Sequence, residues 1–312
     1  MKATILIRCL NEVENLKILF PILESQNNKN FEVVFIDSGS SDGSFEFVQN
    51  YKSIIPIILT KIDKQNFSFG RSLNRAAEKS SYKDILISLS AHCFPTNKSW
   101  LDNMLSPFSE TSIDIVYGRQ IGDDKSRLSE SSHLNSWFGQ NSKIKDSPFT
   151  NNGNAAFRYS VWDKYKFNES LTGCEDIDFA KKTLNAEKDI FYTSEGSVTH
   201  FHDENFNQIK NRYRRESQAI KIIFNDEIDF SLKDVLINLL KESYDDIKYR
   251  KNKTFPSADI QSIIKYRYSK NIGQYLGINR PINSNENMQN KYYSYRDVKD
   301  NVKAFKKDYY YK

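Results

Sequence analysis

The sequence predicts an α/β fold, a mostly parallel sheet flanked by helices and followed by a helical C-terminal region. Three observations carry this expectation. Short β-branched or apolar runs alternate with helix-length amphipathic segments through the first half of the 312 residues, the pattern of strand–helix–strand units. From Phe206 the period becomes helical, in IKNRYRRESQAIKIIF and LKDVLINLLKESYDDIKYR. The charge changes at the same place. Residues 1–205 carry 23 basic and 27 acidic residues, whereas residues 206–312 carry 22 basic and 13 acidic ones. The expected division is therefore a slightly acidic module, 1–205, and a basic, mainly helical extension, 206–312, which holds 12 of the 18 tyrosines.

Each element has a local reason. Thr4–Arg8 is a short β-branched strand. Over Glu12–Ser25, Val13, Leu16, Leu19 or Phe20, and Leu23 recur at helical spacing. Glu32–Ile36 reads as a buried strand closed by Asp37 and the turn-rich SGSSDGS. Ser41 or Asp42 can cap the helix that follows. Ile54–Thr60 is a third strand, in which Pro56 marks an edge or a bulge. Gly70–Lys79 reads as a helix, Asp84–Leu89 as a strand, Trp100–Phe108 as a helix and Asp114–Tyr117 as a strand. Residues 119–150 are polar and aperiodic, an irregular excursion suited to a lid or subdomain edge. Asn154–Arg158 resumes the sheet. Glu175–Asn185 is a helix whose opening acids suit the positive end of its dipole.

Composition excludes several classes. Gly and Pro total 18 residues, about half of average usage, so the chain is neither collagen-like nor low-complexity. Aromatic residues at 13% supply the apolar area that disordered chains lack. Three cysteines are too few for a disulfide scaffold and fit a reducing compartment. No run of about 18 apolar residues is present, and the N-terminus lacks a secretory pattern. A cytoplasmic location is expected, with peripheral contact at the inner face of the plasma membrane through the basic, aromatic extension. VLINLLKE (235–242) suits a docking helix or a core helix equally. Nucleic-acid binding is not expected, because no recognition motif accompanies the basic third.

Polar chemistry collects where strands end, which is where open α/β sheets bind ligands. Asn11 and Glu12 follow the first strand, Asp37 the second and Ser90-Ala91-His92 the fourth. Asp37 serves either as a turn cap or as an acceptor for a base or ribose. His92 is either a structural histidine or, with His200 and His202 of VTHFHD, a ligand for a divalent metal. Glu175 and Asp176 either stabilise a helix terminus or include a general base. Arg212, Arg214 and Arg215 in NRYRRES form either a solvated face or a phosphate site. The absence of G-x-G-x-x-G and G-x-x-x-x-G-K-[ST] removes support for dinucleotide-binding and P-loop readings.

Together IRCLNE (7–12), VVFIDSGSSDGS (33–44), FSFGRSLNRAAEKS (67–80), ISLSAHCFPTNKSWL (87–101) and GCEDIDFA (173–180) resemble family 2 glycosyltransferases of the GT-A fold. YGRQ (117–120) and NNGNAAFRYSVW (151–162) are similar to a bacterial polysaccharide, rhamnosyltransferase-like subgroup. The resemblance spans roughly residues 3–220. It implies an inverting transfer from a nucleotide-diphosphate sugar to a saccharide or lipid-linked saccharide acceptor. It assigns Asp37 to the nucleobase and Arg8, Asn11, Glu12, Ser40, Ser41, Asp42, Arg71, Asn74 and Ser90 to the donor. Asp176 becomes the favoured base, beside Glu175. The family's Asp-X-Asp, which holds Mn²⁺ or Mg²⁺ on the diphosphate, is here Ser90-Ala91-His92. The ion is then retained through His92 with His200 or His202, or the reaction leans little on metal. A nucleotidyltransferase on a related fold is the alternative, but LIRCLNEVENLK has no glycine-rich loop. A non-catalytic nucleotide- or carbohydrate-binding module is a further one, against which stand Asp37 and Asp176.

Overall fold

The computed structural model describes residues 1–123, 126–202, 204–224, 228–251 and 260–282. Six of the extension's tyrosines fall within 283–312 and lie outside the described residues. The first half alternates as expected: β1 (Ala3–Cys9), α1 (Val13–Glu24), β2 (Phe31–Asp37), α2 (Ser44–Asn50), β3 (Ile57–Lys61), α3 (Phe69–Glu78) and β4 (Ile85–Ser90). β1–β4 pair in parallel in the order β3-β2-β1-β4. Pro56 lies just before edge strand β3, where its carbonyl accepts the Val33 N–H at 2.9 Å.

Beyond β4 the sheet becomes mixed. β5 (Cys93–Pro95), α4 (Trp100–Leu105), β6 (Ile113–Ile121), α5 (Leu128–Trp137), β7 (Lys143–Lys145), β8 (Asn154–Arg158), α6 (Tyr159–Tyr165), α7 (Glu175–Leu184) and β9 (Asp189–His200) follow. β8 lies antiparallel between β4 and β6, and β6 runs parallel to β9. β5 and β7 pair antiparallel with opposite ends of β9. Residues 119–150 are therefore not an irregular excursion. They extend β6 and add α5 and β7. α5 carries little apolar periodicity because Ser129, Glu130, Ser131 and Ser132 are all buried, so its polar residues face protein rather than water.

Period-two alternation divides the core. Ala3, Ile5 and Ile7 of β1 and Val33 and Phe35 of β2 pack with α1 and Trp100 on one face. Leu6, Val34, Ile36 and Leu86 pack with α3, Trp162 and Phe179 on the other. Gly118 sits where β6 approaches the bend in β9. A Cβ there would lie 2.0 Å from the Gly196 carbonyl oxygen and 2.2 Å from Asn154 Nδ2, so only glycine fits.

Three helices complete the chain: α8 (Phe206–Ile223), α9 (Leu232–Lys251) and α10 (Ile260–Asn279). α8 opens with a capping box, in which the Asn205 side chain accepts the Gln208 N–H and Gln208 returns the contact. α8 and α10 cross closely at Gly277, where a Cβ would sit 2.2 Å from the Arg214 carbonyl oxygen. Buried Arg267 of α10 ties the set together. It bonds both oxygens of buried Asp246 on α9 and the Ser129 carbonyl on α5. Removing one member of such a pair costs about 3–5 kcal/mol. Part of the extension's basic charge is therefore internal. No described helix is long and apolar enough to cross a membrane.

Candidate active site

The C-terminal ends of β1 and β2 interlock. Asn11 takes the left-handed conformation, φ 55°, which Asn tolerates well. Its N–H donates to Ser40 Oγ at 2.9 Å, and its Oδ1 accepts the Ser41 N–H at 2.8 Å. Asp37 Oδ2 accepts the Gly39 and Ser40 N–H groups, each at 3.0 Å. Asp42 accepts from the Val13 and Ser44 N–H groups and so fastens the starts of α1 and α2. The turn-capping role of these residues is real. Two atoms are left over, however: Asp37 Oδ1 and Asn11 Nδ2 are buried with no partner among the described residues. An orphaned buried polar atom costs about 1–3 kcal/mol, so an acceptor and a donor left this way point to a ligand.

Next to this turn lies a pocket of about 730 Å³, reached by β4, β6, β9, α5, α7 and α8. His92, just beyond β4, and His200 and His202, at and beyond the end of β9, meet on one side. One ring nitrogen from each lies within 4.8 Å of the other two. Every Nδ1 is engaged: His92 with Glu12 Oε1 at 2.9 Å, His200 with Gln120 Oε1 at 2.6 Å and His202 with Glu130 Oε1 at 2.6 Å. Metal-binding histidines are oriented in this way, with Nε2 as the ligand atom.

The acids line the same pocket. Cys174 has φ 55°, a strained conformation that directs the first turn of α7 into the pocket. Glu175 is buried and contacts Arg8 Nη1 at 3.4 Å and Asn152 Nδ2 at 3.0 Å. Asp176 lines the pocket and accepts the Asn152 N–H at 2.9 Å. Burial, and then the negative charge of Glu175, push the Asp176 carboxyl up to about 7; the Asn152 and Ile177 N–H groups and Arg8 oppose the rise. Such a value is poised for proton transfer near neutral pH.

α8 closes the pocket. Arg212 and Arg215 line it, Arg212 held by Glu204 at 2.8 Å and Arg215 laid over the Phe69 ring. Arg214 is turned away, bonding the Arg280 carbonyl at 2.7 Å beyond α10. Ser90 lines the pocket. Arg71 and Asn74 are not brought to it, and Asn11, Glu12, Asp37, Ser40 and Asp42 stand beside it without lining it. Arg71 pairs with Glu169 at 2.7 Å. Asn74 is buried in bonds to Trp162, Phe167 and Glu169, a joint between α3 and the segment after α6. Three positioning residues were not foreseen: Gln120, Glu130 and Asn152. Gln120 and Asn152 fall within YGRQ and NNGN, so the signal lay in motifs already singled out. Glu130 had none.

The chain belongs to glycosyl transferase family 2, whose sequence profile matches residues 4–170. Two Salmonella proteins are among its relatives. The O-antigen chain rhamnosyltransferase WbaN of Salmonella anatum is 26% identical over 205 residues, 62% of this chain and 64% of that protein. RfbN of Salmonella typhimurium, also an O-antigen chain rhamnosyltransferase, is 25% identical over 214 residues, 65% and 67% of the respective chains. The chain thus spans about two thirds of the length of these relatives. Among solved structures, the mannosyltransferase PcManGT from Pyrobaculum calidifontis, in complex with GDP-Man and Mn²⁺, aligns with a TM-score of 0.60 at 13% identity, covering 88% of this chain and 84% of that one. S. aureus TarS in complex with UDP-GlcNAc aligns at 0.53 and 16% identity, covering 88% and 89%. These likenesses establish the GT-A fold.

Proposed function

We propose that the protein is an inverting transferase that moves a sugar from a nucleotide-diphosphate donor to a glycan or lipid-linked acceptor in bacterial surface polysaccharide synthesis. One observation carries this reading: a carboxyl poised near neutrality, Asp176, shares a pocket with a three-histidine cluster and two arginines. The nucleotide base lies against Asp37 and Asn11, whose orphaned acceptor and donor match the edge of a base. Arg8 holds Glu175, and Asn152 holds Asp176, so that Asp176 takes the proton from the acceptor hydroxyl as that oxygen attacks the anomeric carbon. Charge on the departing diphosphate is met by Arg212 and Arg215. His92, His200 and His202 would hold a divalent cation, which would supply further positive charge there. Relatives named as O-antigen rhamnosyltransferases and a fold neighbour solved with Mn²⁺ and a nucleotide-sugar support the reading. Residues 1–205 hold the nucleotide and the base Asp176, and the helical region from 206 adds Arg212 and Arg215 and forms the acceptor-facing wall.

The test is Asp176→Asn. Transfer is expected to fall by about 10²–10⁴, while nucleotide-sugar binding measured by calorimetry survives. Retention of full transfer removes Asp176 from the mechanism.

A further inference from the structure

The three-histidine cluster differs chemically from a pair of aspartates, and the difference bears on which ion it takes. Gly153 donates its N–H to Asn151 Oδ1 at 2.8 Å. A backbone N–H can only donate, so Asn151 presents its oxygen. Gln120 therefore turns its amide nitrogen to that oxygen, at 2.8 Å, and its own oxygen to His200 Nδ1 at 2.6 Å. His200 must donate from Nδ1, which makes Nε2 an electron-pair donor. Glu12 and Glu130 impose the same tautomer on His92 and His202. The rings cannot turn freely: those of His92 and His200 stack with centroids 5.2 Å apart, and His202 is 4.1 Å from His200. One ring nitrogen from each histidine lies within 4.8 Å of the other two, close enough for the three to share one ion. Among the described residues no carboxylate joins the group.

On this basis, and resting on the proposed reading of the same site, we infer that the three histidines select a borderline transition ion, Zn²⁺ or Co²⁺, over Mg²⁺ and Mn²⁺. Hard ions favour carboxylate and water oxygen. Imidazole favours ions late in the first transition row, and three histidines with an open fourth position form a known zinc arrangement. Neutral imidazole ligands would offset less of the ion's charge than a pair of aspartates, so the bound ion would supply more positive charge to a diphosphate in the pocket. Glu12, Gln120 and Glu130 are the positioning residues that keep all three nitrogens aimed.

The experiment strips the full chain with a chelator and titrates it with Zn²⁺, Co²⁺, Mn²⁺ and Mg²⁺ separately in a calorimeter. One Zn²⁺ per chain is expected, at least about 100-fold tighter than Mn²⁺, with no saturable Mg²⁺ binding. Co²⁺ should show the intense visible bands of tetrahedral coordination. Glu130→Gln should lower Zn²⁺ affinity by about 10–100-fold, and His92→Asp should narrow the gap between Zn²⁺ and Mn²⁺. Mn²⁺ or Mg²⁺ binding as tight as Zn²⁺ overturns the selectivity while leaving the site as a cation site. Binding of none of the four, or Zn²⁺ binding unchanged in His92→Ala, overturns the cation site itself.

Discussion

Asp176 owes its behaviour to burial and to neighbours with opposite effects. The negative charge of Glu175 adds to burial in raising its carboxyl to about 7, while the Asn152 N–H and Arg8 pull it back. A base works only when ionised, so the pH dependence has a definite sign. Values of kcat/KM should rise as pH increases through about 7 and level off above it. In Glu175→Gln the adjacent negative charge is gone, so the rising limb should move to lower pH. A limb that stays in place would separate it from Asp176. Much of this site was legible from residue type alone, because Asp37, Asp176 and the H-x-H pair fall at strand and helix ends where ligands gather. The exceptions have physical causes. Arg71 and Asn74 lie in a motif that resembles a donor-binding segment, yet their side chains fold onto Glu169 and Phe167. Gln120 and Glu130 act on histidines 80 and 72 positions away, a relation no local pattern contains.

At the scale of elements, strand periodicity revealed the parallel half but not α5. That helix directs Glu130 into the pocket, and Arg267 reaches its Ser129 carbonyl, so its polar residues take the buried positions usually filled by apolar ones. A helix built in this way carries no apolar stripe to read. The crossing of α8 and α10 is likewise set by contact rather than period. Arg212 and Arg215 line the pocket from α8, and α10 fixes α8 from behind. Gly277→Val places branched carbons against the Arg214 carbonyl. It should cost roughly 1–3 kcal/mol, read as a lowered midpoint in denaturant, and it should weaken donor binding by shifting the arginines. An unchanged midpoint would mean that the two helices do not meet as closely as described.

Across the whole molecule, the charge division has two destinations. Some of the basic surplus of the C-terminal third is internal: Arg267 and Lys270 pair with Asp246 and Glu242, and Arg212 with Glu204. On α9, Leu232, Leu236, Leu240 and Tyr244 form an exposed apolar row, Leu240 by 74%. Such a row, with Lys233, Lys241 and Lys248 on the same helix, is where peripheral contact with an anionic membrane, and so with a lipid-linked acceptor, would be made. Leu236→Glu with Leu240→Glu should weaken salt-sensitive binding to anionic vesicles by about tenfold or more, with thermal stability unchanged. Equal vesicle binding by the variant would count against membrane contact.

The central claim is that one pocket holds a nucleotide-sugar and a histidine-bound cation together, beside Asp176. Calorimetry with UDP-, GDP-, CDP- and dTDP-sugars, each with and without Zn²⁺ or Mn²⁺, addresses it directly in the native chain and in His200→Ala. Saturable binding of one nucleotide class, tightened by the cation in the native chain but not in His200→Ala, is the predicted result. Binding of none of them, or binding that the cation leaves unchanged, would contradict it.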